Sequence, residues 1–189
     1  SFKEKHETMK RNSYLVLALG LFLVMSCKNN SKDTDTPETV TVNTTAKEIH
    51  KAAPTTVEFS SDEVAIAYSG YNAIKTALVN TNFSEAKSKA ETSLDTLRKT
   101  ELKSGYIDAL ALLAVEDNID GQREAFEAVT QEMTNLVEAN IATGKLYYQY
   151  CPMAFNNKGA YWLSNEEAIR NPYFGDKMLK CGLVERDIE

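Results

Sequence analysis

The sequence predicts a mainly α protein: an antiparallel helical bundle followed by a small C-terminal β-hairpin and an irregular tail carrying cysteine and methionine. Between residues 60 and 144, apolar residues recur at three- and four-residue steps in four successive stretches. After Gly144 the texture turns aromatic and partly alternating, with glycine, asparagine and proline marking the breaks. The chain has 189 residues, 43% apolar and 25% charged, which is ordinary globular composition with room for one domain of typical size.

The first helical stripe runs through Val64, Ala67, Tyr68, Tyr71, Ile74 and Leu78, opened by Ser60 and Glu63 at capping-box spacing. Asn80-Thr81-Asn82 breaks it, and Ser84 is placed to cap a second helix with Ala86, Ala90, Leu94 and Leu97 on one face. Gly105 interrupts before Tyr106, Leu110, Leu113 and Ala114. Asp120-Gly121 then marks the start of a fourth stripe, with Phe126, Val129, Met133, Leu136 and Val137. Short polar breaks between amphipathic helices favour antiparallel neighbours. Beyond them, Lys145–Cys151 reads as a strand and Asn156–Gly159 as a turn. Ala160–Leu163 is the return strand. Ser164 and Glu167 predict a further short helix, stopped by Asn171-Pro172.

Ahead of the folded part lies an address. Ser13–Met25 is an apolar run preceded by Lys10 and Arg11, the layout of a secretory signal and too short to span a bilayer. It ends in Val24-Met25-Ser26-Cys27, which resembles the lipobox of bacterial lipoproteins. That resemblance implies lipidation of Cys27, a native start at Met9 with residues 1–8 upstream of it, and a signal peptide over 9–26. The acyl chains would anchor the protein rather than span the membrane. Residues 28–56 are rich in Ser, Thr, Asn and Asp with few large apolar groups, so 27–59 reads as a lipidated cysteine and flexible tether. His50 falls inside it as a solvated side chain. Residues 60–144 form the bundle, and 145–189 a tail packed on it within one domain.

Function classes narrow quickly. With 21 basic against 27 acidic residues the formal charge is −6, which argues against a nucleic-acid surface built from clustered Lys and Arg. His6 and His50 are the only histidines, and there is no Gly-x-Ser-x-Gly elbow, phosphate-binding glycine loop or His-Glu-x-x-His pattern. The pairs Glu116-Asp117 and Glu166-Glu167 read as surface charge, and the sequence predicts no enzyme. The chemistry that remains is sulfur. Cys151-Pro152-Met153 and Met178-Leu179-Lys180-Cys181 each put a thiol and a thioether close together. If the two segments meet, Cys151, Met153, Met178 and Cys181 form a soft cluster suited to Cu(I) or Ag(I). Zinc fits less well, because its structural sites need four Cys or His ligands. The same cysteines also fit a disulfide closing a loop of about 30 residues, with the methionines as core filling.

The runs Tyr150–Phe155, Gly159–Ser164, Ile169–Gly175 and Met178–Gly182, with Gln122–Phe126 ahead of them, resemble an uncharacterised domain family of Gram-negative bacteria. Its members are common as secreted lipoproteins, and similar domains are fused to periplasmic adaptor subunits of copper and silver efflux pumps. The resemblance implies a periplasm-facing helical domain linked to heavy-metal handling, with an efflux adaptor or another envelope protein as partner. Some members carry His ahead of Cys-Pro-Met; Tyr150 stands there in this chain and removes one candidate ligand. With that context the sequence reads as a lipid-anchored Cu(I)/Ag(I)-binding protein. The alternative is a non-catalytic interaction domain stapled by Cys151–Cys181.

Overall fold

The computed structural model describes residues 48–189, so the signal segment, Cys27 and most of the tether lie outside the described residues. The first helix, α1 (Asp62–Val79), packs against α2 (Phe83–Leu97) and α4 (Ile119–Asn140); α3 (Gly105–Val115) lies against both α2 and α4. The predicted stripes are the buried faces. Tyr68, Tyr71, Ile74 and Leu78 of α1 meet Leu94, Leu97, Leu110, Leu113, Phe126, Val129 and Met133 in one core, while Leu136 is only half-buried. The fold is mainly α with a small antiparallel sheet near the C-terminus.

Helix starts differ from expectation by a residue or two, and the cap geometry says why. Ser61, not Ser60, is in extended conformation and accepts the amide of Val64, and its hydroxyl donates to Glu63. Asn82 rather than Ser84 caps α2, accepting the Glu85 amide at 3.1 Å, and Asn118 caps α4 through the Gly121 amide at 2.8 Å.

A two-residue ladder joins β1 (Glu58–Phe59) to β2 (Ile141–Thr143). The larger sheet has the order β4-β3-β5, with β3 (Leu146–Cys151) between β4 (Ala160–Ser164) and β5 (Leu183–Ile188), all antiparallel. The hairpin β3–β4 matches the reading of the sequence. Its connection contains α5 (Ala154–Asn157), one turn in which Phe155, Asn156 and Asn157 all adopt left-handed φ angles of 50°, 57° and 69°. Strand β5 was not anticipated, because Leu-Val-Glu-Arg-Asp-Ile does not alternate; it is a charged edge strand.

The short helix expected after Ser164 does not form. Ser164 ends β4, where its hydroxyl accepts the Glu166 amide and the Lys75 ammonium. The carbonyls of Glu166 and Glu167, which a helix would use, accept the buried Gln149 side-chain amide at 2.8 and 3.0 Å. Residues 48–56, read as the end of the tether, lie along the domain instead. His50 exchanges two backbone hydrogen bonds with the Asn80 side chain, and Asn165 donates to the Ala53 carbonyl and the Thr55 hydroxyl. His50 is therefore not idle: its Nε2 is 3.1 Å from Glu166 Oε1. Burial lowers the His50 pKa against the opposing pull of that carboxylate. Glu166, in turn, is not simply surface charge.

Two buried cations join the helices to the tail. Arg123, in the first turn of α4, donates from Nε to the Pro172 carbonyl at 3.0 Å and from Nη2 to Leu78 O and Thr81 Oγ1 at 3.4 and 3.3 Å. Lys75 is fully buried and donates to Leu163 O at 3.2 Å; burial brings its ammonium down to about 8, opposed in part by Glu166. Arg123→Met leaves the Pro172 carbonyl without its Arg123 donor, while Leu78 O keeps the Thr81 amide, so urea unfolding should show a loss of about 1–3 kcal/mol. An unfolded lysine titrates near 10.5, so between about pH 8 and 10.5 the unfolded chain holds a proton that folded Lys75 has lost. Stability attributable to Lys75 therefore rises with pH across that window. The stability difference between Lys75→Met and the parent should accordingly shift in the parent's favour between pH 7 and pH 10. No shift would mean that Lys75 stays charged in the fold.

Candidate metal centre

The two cysteines meet because of strand register. Tyr150 pairs with Leu183 across β3 and β5, so the chain just before β5 runs back past the end of β3. Cys151 Sγ and Cys181 Sγ lie 3.0 Å apart and are not bonded; Cys151 is buried and Cys181 half-buried. Gly182 makes the approach possible. Its φ is +146°, and a Cβ there would come within 2.8 Å of the Trp162 ring and 2.9 Å of the Tyr150 carbonyl.

Asn171, fully buried, frames the loop that delivers Cys181. Its side-chain amide donates to the Cys181 carbonyl at 2.7 Å, and its backbone amide donates to the Leu179 carbonyl at 2.8 Å. Its Oδ1 accepts the amides of Tyr173 and Phe174. Gly175 closes the far end, at φ +54°, where a Cβ would strike Thr81 Oγ1 and Arg123 Nη2. Asn171, Gly182 and Arg123 are positioning residues that sequence reasoning did not assign. The signals available for them were the turn chemistry of Asn-Pro and of Cys-Gly and, for all three, their place in the runs Gln122–Phe126, Ile169–Gly175 and Met178–Gly182.

Of the four sulfur residues, the structure brings the cysteines into contact and gathers the methionines separately. Met153 and Met178 line one surface cavity of about 550 Å³ with Asp120, Glu124, Phe155 and Phe174, and the cysteines are not in its wall. The link between the two pairs is backbone: the Met153 amide donates to the Cys181 sulfur. Met153 is 49% exposed. Among the described residues no three His, Cys, Asp or Glu side chains gather as a metal site, so any soft ion here would rest on two thiols plus thioether.

The Cys181 thiol is pushed up to about 11, first by its hydrogen bond with Cys151, then by desolvation, with the Met153 amide working the other way. Cys181 therefore keeps its proton at neutral pH, and an incoming cation must displace it. Trp162, in β4, is fully buried and belongs to the core.

Comparison with known proteins bears on the helices alone. Residues 67–144 match the family described as Protein of unknown function (DUF3347). The matched stretch runs from the middle of α1 through β2 and leaves the sulfur residues beyond its end. No curated protein and no solved structure matches the chain.

The geometry of the pair makes a direct prediction. Cys151→Ala removes the main cause of the raised Cys181 pKa. The pH profile of Cys181 alkylation by iodoacetamide should then move down toward the ordinary thiol range, with faster reaction at pH 8. An unchanged profile would place the cause elsewhere.

Proposed function

We propose that this protein is a non-catalytic binder of a soft monovalent cation, Cu(I) or Ag(I), with Cys151 and Cys181 as thiolate ligands. Met178 and Met153 supply or shield the remaining coordination. The four packed helices serve as an antiparallel bundle that carries the tail. In this reading the chain is exported and held in the cell envelope by a lipid on Cys27, and it acts in metal efflux or tolerance beside an efflux adaptor or other envelope partner. The resemblance of the tail motifs to domains fused to such adaptors supports that setting.

One observation carries the proposal: the 3.0 Å between Cys151 Sγ and Cys181 Sγ. Metal–thiolate bonds of about 2.3 Å at a tetrahedral angle put two sulfurs about 3.8 Å apart, so an opening of less than about 1 Å admits an ion. Thioethers on flexible, unbranched side chains line the neighbouring cavity. The same distance favours a second reading. Thiol–disulfide exchange with an oxidised disulfide of the exported compartment, which takes up the two electrons and two protons, would close the pair by about 1 Å to a disulfide, stabilise by roughly 3 kcal/mol and leave a stapled interaction domain without metal.

Anaerobic titration of the reduced protein with Cu(I) against a chromophoric competitor separates the two. The expected outcome is one ion per chain, lost in the Cys151→Ser, Cys181→Ser double variant. Affinity should strengthen about tenfold per pH unit between pH 6 and 8 for each coupled proton displaced from the pair. Absence of competition, or a pair that is oxidised both before and after metal exposure, would replace the metal reading with the staple.

A further inference from the structure

Residues 48–56 run along the domain without entering its core. None of them is buried, Ile49 is 69% exposed, and Val57 is the first residue of the stretch to join the core. Polar contacts at two points hold the segment instead. Asn80, just past α1, clamps the His50 backbone: its Oδ1 accepts the His50 amide and its Nδ2 donates to the His50 carbonyl, both at 2.9 Å. Farther along, Asn165 donates to the Ala53 carbonyl at 2.9 Å and to the Thr55 hydroxyl at 3.0 Å. Tyr68 fixes Asn165 in turn, donating to its Oδ1 at 2.6 Å. A segment attached by a few polar contacts and no apolar anchor opens more readily than the helices beneath it.

The His50 side chain adds a contact that pH can change. It is only 12% exposed, and its Nε2 lies 3.1 Å from Glu166 Oε1. The charged groups that act on it are Glu166 and Arg170, from the loop after β4, and Lys75, from α1. One carboxylate therefore serves two cations, and a proton on His50 would add a third in a place that water reaches poorly. Burial first, then Arg170 and Lys75, hold the docked imidazole below the usual histidine range, against the pull of Glu166.

We propose that residues 48–56 are an acid-released strap, docked at neutral pH with His50 uncharged and freed when His50 takes up a proton. A released strap presents an ordinary histidine, which titrates near 6.5. Below that pH the released form holds more proton than the docked form, so docking weakens as pH falls. The limit for this one group is about tenfold per pH unit. Lys75, held at about 8, stays charged through the acid range and keeps opposing the imidazolium. Val57 is buried, so release stops there and leaves the core intact. The freed stretch adds up to about 30 Å of extended chain. If Cys27 carries the lipid, that length lies between anchor and bundle, and acid extends the reach of the domain. Only this consequence rests on the anchored reading; the docking itself involves neither Cys27 nor the sulfur pair.

The test is ¹⁵N relaxation of the full chain at pH 7.5 and pH 5.0, with the amides of α1 as the control for an intact fold. Order parameters from Ile49 to Thr56 should match those of the domain at pH 7.5 and fall below about 0.6 at pH 5.0. His50→Gln, polar but unable to titrate, should keep the strap ordered at both values, and Asn80→Ala should free it at both. The His50 ring signals of the parent give a reading that no substitution disturbs. Their titration midpoint should lie below that of histidine in a short peptide. Equal order at both pH values, disorder at both, or acid release that persists in His50→Gln would overturn the proposal. So would a ring midpoint at or above the peptide value, or a strap that stays ordered in Asn80→Ala.

Discussion

The loop that carries Cys181 depends on a guanidinium buried near the start of α4. The strand β4 is held to α1 separately, by Tyr71 and Lys75 at Leu163. Arg123 holds the last turn of α1, through Leu78 O, and the Asn171-Pro172 corner, through Pro172 O. A buried charge is costly unless its donors are used, so the arrangement that satisfies Arg123 is strongly selected over neighbours that do not. From that corner the rest follows. Asn171 shapes the loop, the loop presents Cys181, and Gly182 lets β5 come alongside β3. The thiol contact is thus fixed from a helix far from it in sequence.

The helices were legible because burial on a helix leaves a period. Every residue that the three- and four-residue steps select in α1, α2 and α3 is buried, with Lys75, Ala77, Val79, Ser93 and Ala109 buried beside them, and only Leu136 of α4 sits less deeply than its stripe suggests. Caps were misplaced by one or two residues because Ser60, Ser61, Asn82 and Ser84 all have side chains able to cap. The choice falls to backbone geometry that no spacing encodes. The sulfur residues were legible as two pairs by spacing within each segment. The meeting of Cys151 with Cys181 was expected on either reading, but the gathering of the methionines in a cavity apart from them was not, because it depends on the register of an edge strand with no alternating pattern. The Ser164–Glu167 helix failed for a related reason: Gln149, eighteen residues before Glu167, takes the carbonyls that local propensity would have used.

The polar interior is organised around a few side chains that spacing rules treat as solvated. Lys75 sits on the apolar face of α1 yet is fully buried, and it pulls the end of β4 onto the helix through Leu163 O. Glu166 lies between it and His50, so the residues ahead of β1 join the same network. The effect is that both the residues ahead of β1 and the end of β4 are tied to one strip, from Tyr68 of α1 to Asn80 just past it. Tyr68 donates to Asn165 at 2.6 Å within that strip, and Tyr71 donates or accepts at Thr130.

The turn between β3 and β4 stores free energy. Three consecutive residues with side chains, Phe155, Asn156 and Asn157, wind in the left-handed sense, at roughly 1–2 kcal/mol each for an ordinary residue and less for asparagine. Phe155 has no such discount; its ring is kept in place against Tyr173, edge-on at 5.3 Å. Against a total stability of about 5–15 kcal/mol for a domain this is a sizeable local debt, and unwinding the turn releases it. The rim formed by Met153 and Phe155 is therefore the segment of the tail whose opening is least opposed, while the register of β3 and β4 on either side stays intact. The Met153 and Phe155 rim is thus the part of the sulfur site readiest to move, while Cys151 is held by the register of β3 and Cys181 by the loop that Asn171 shapes.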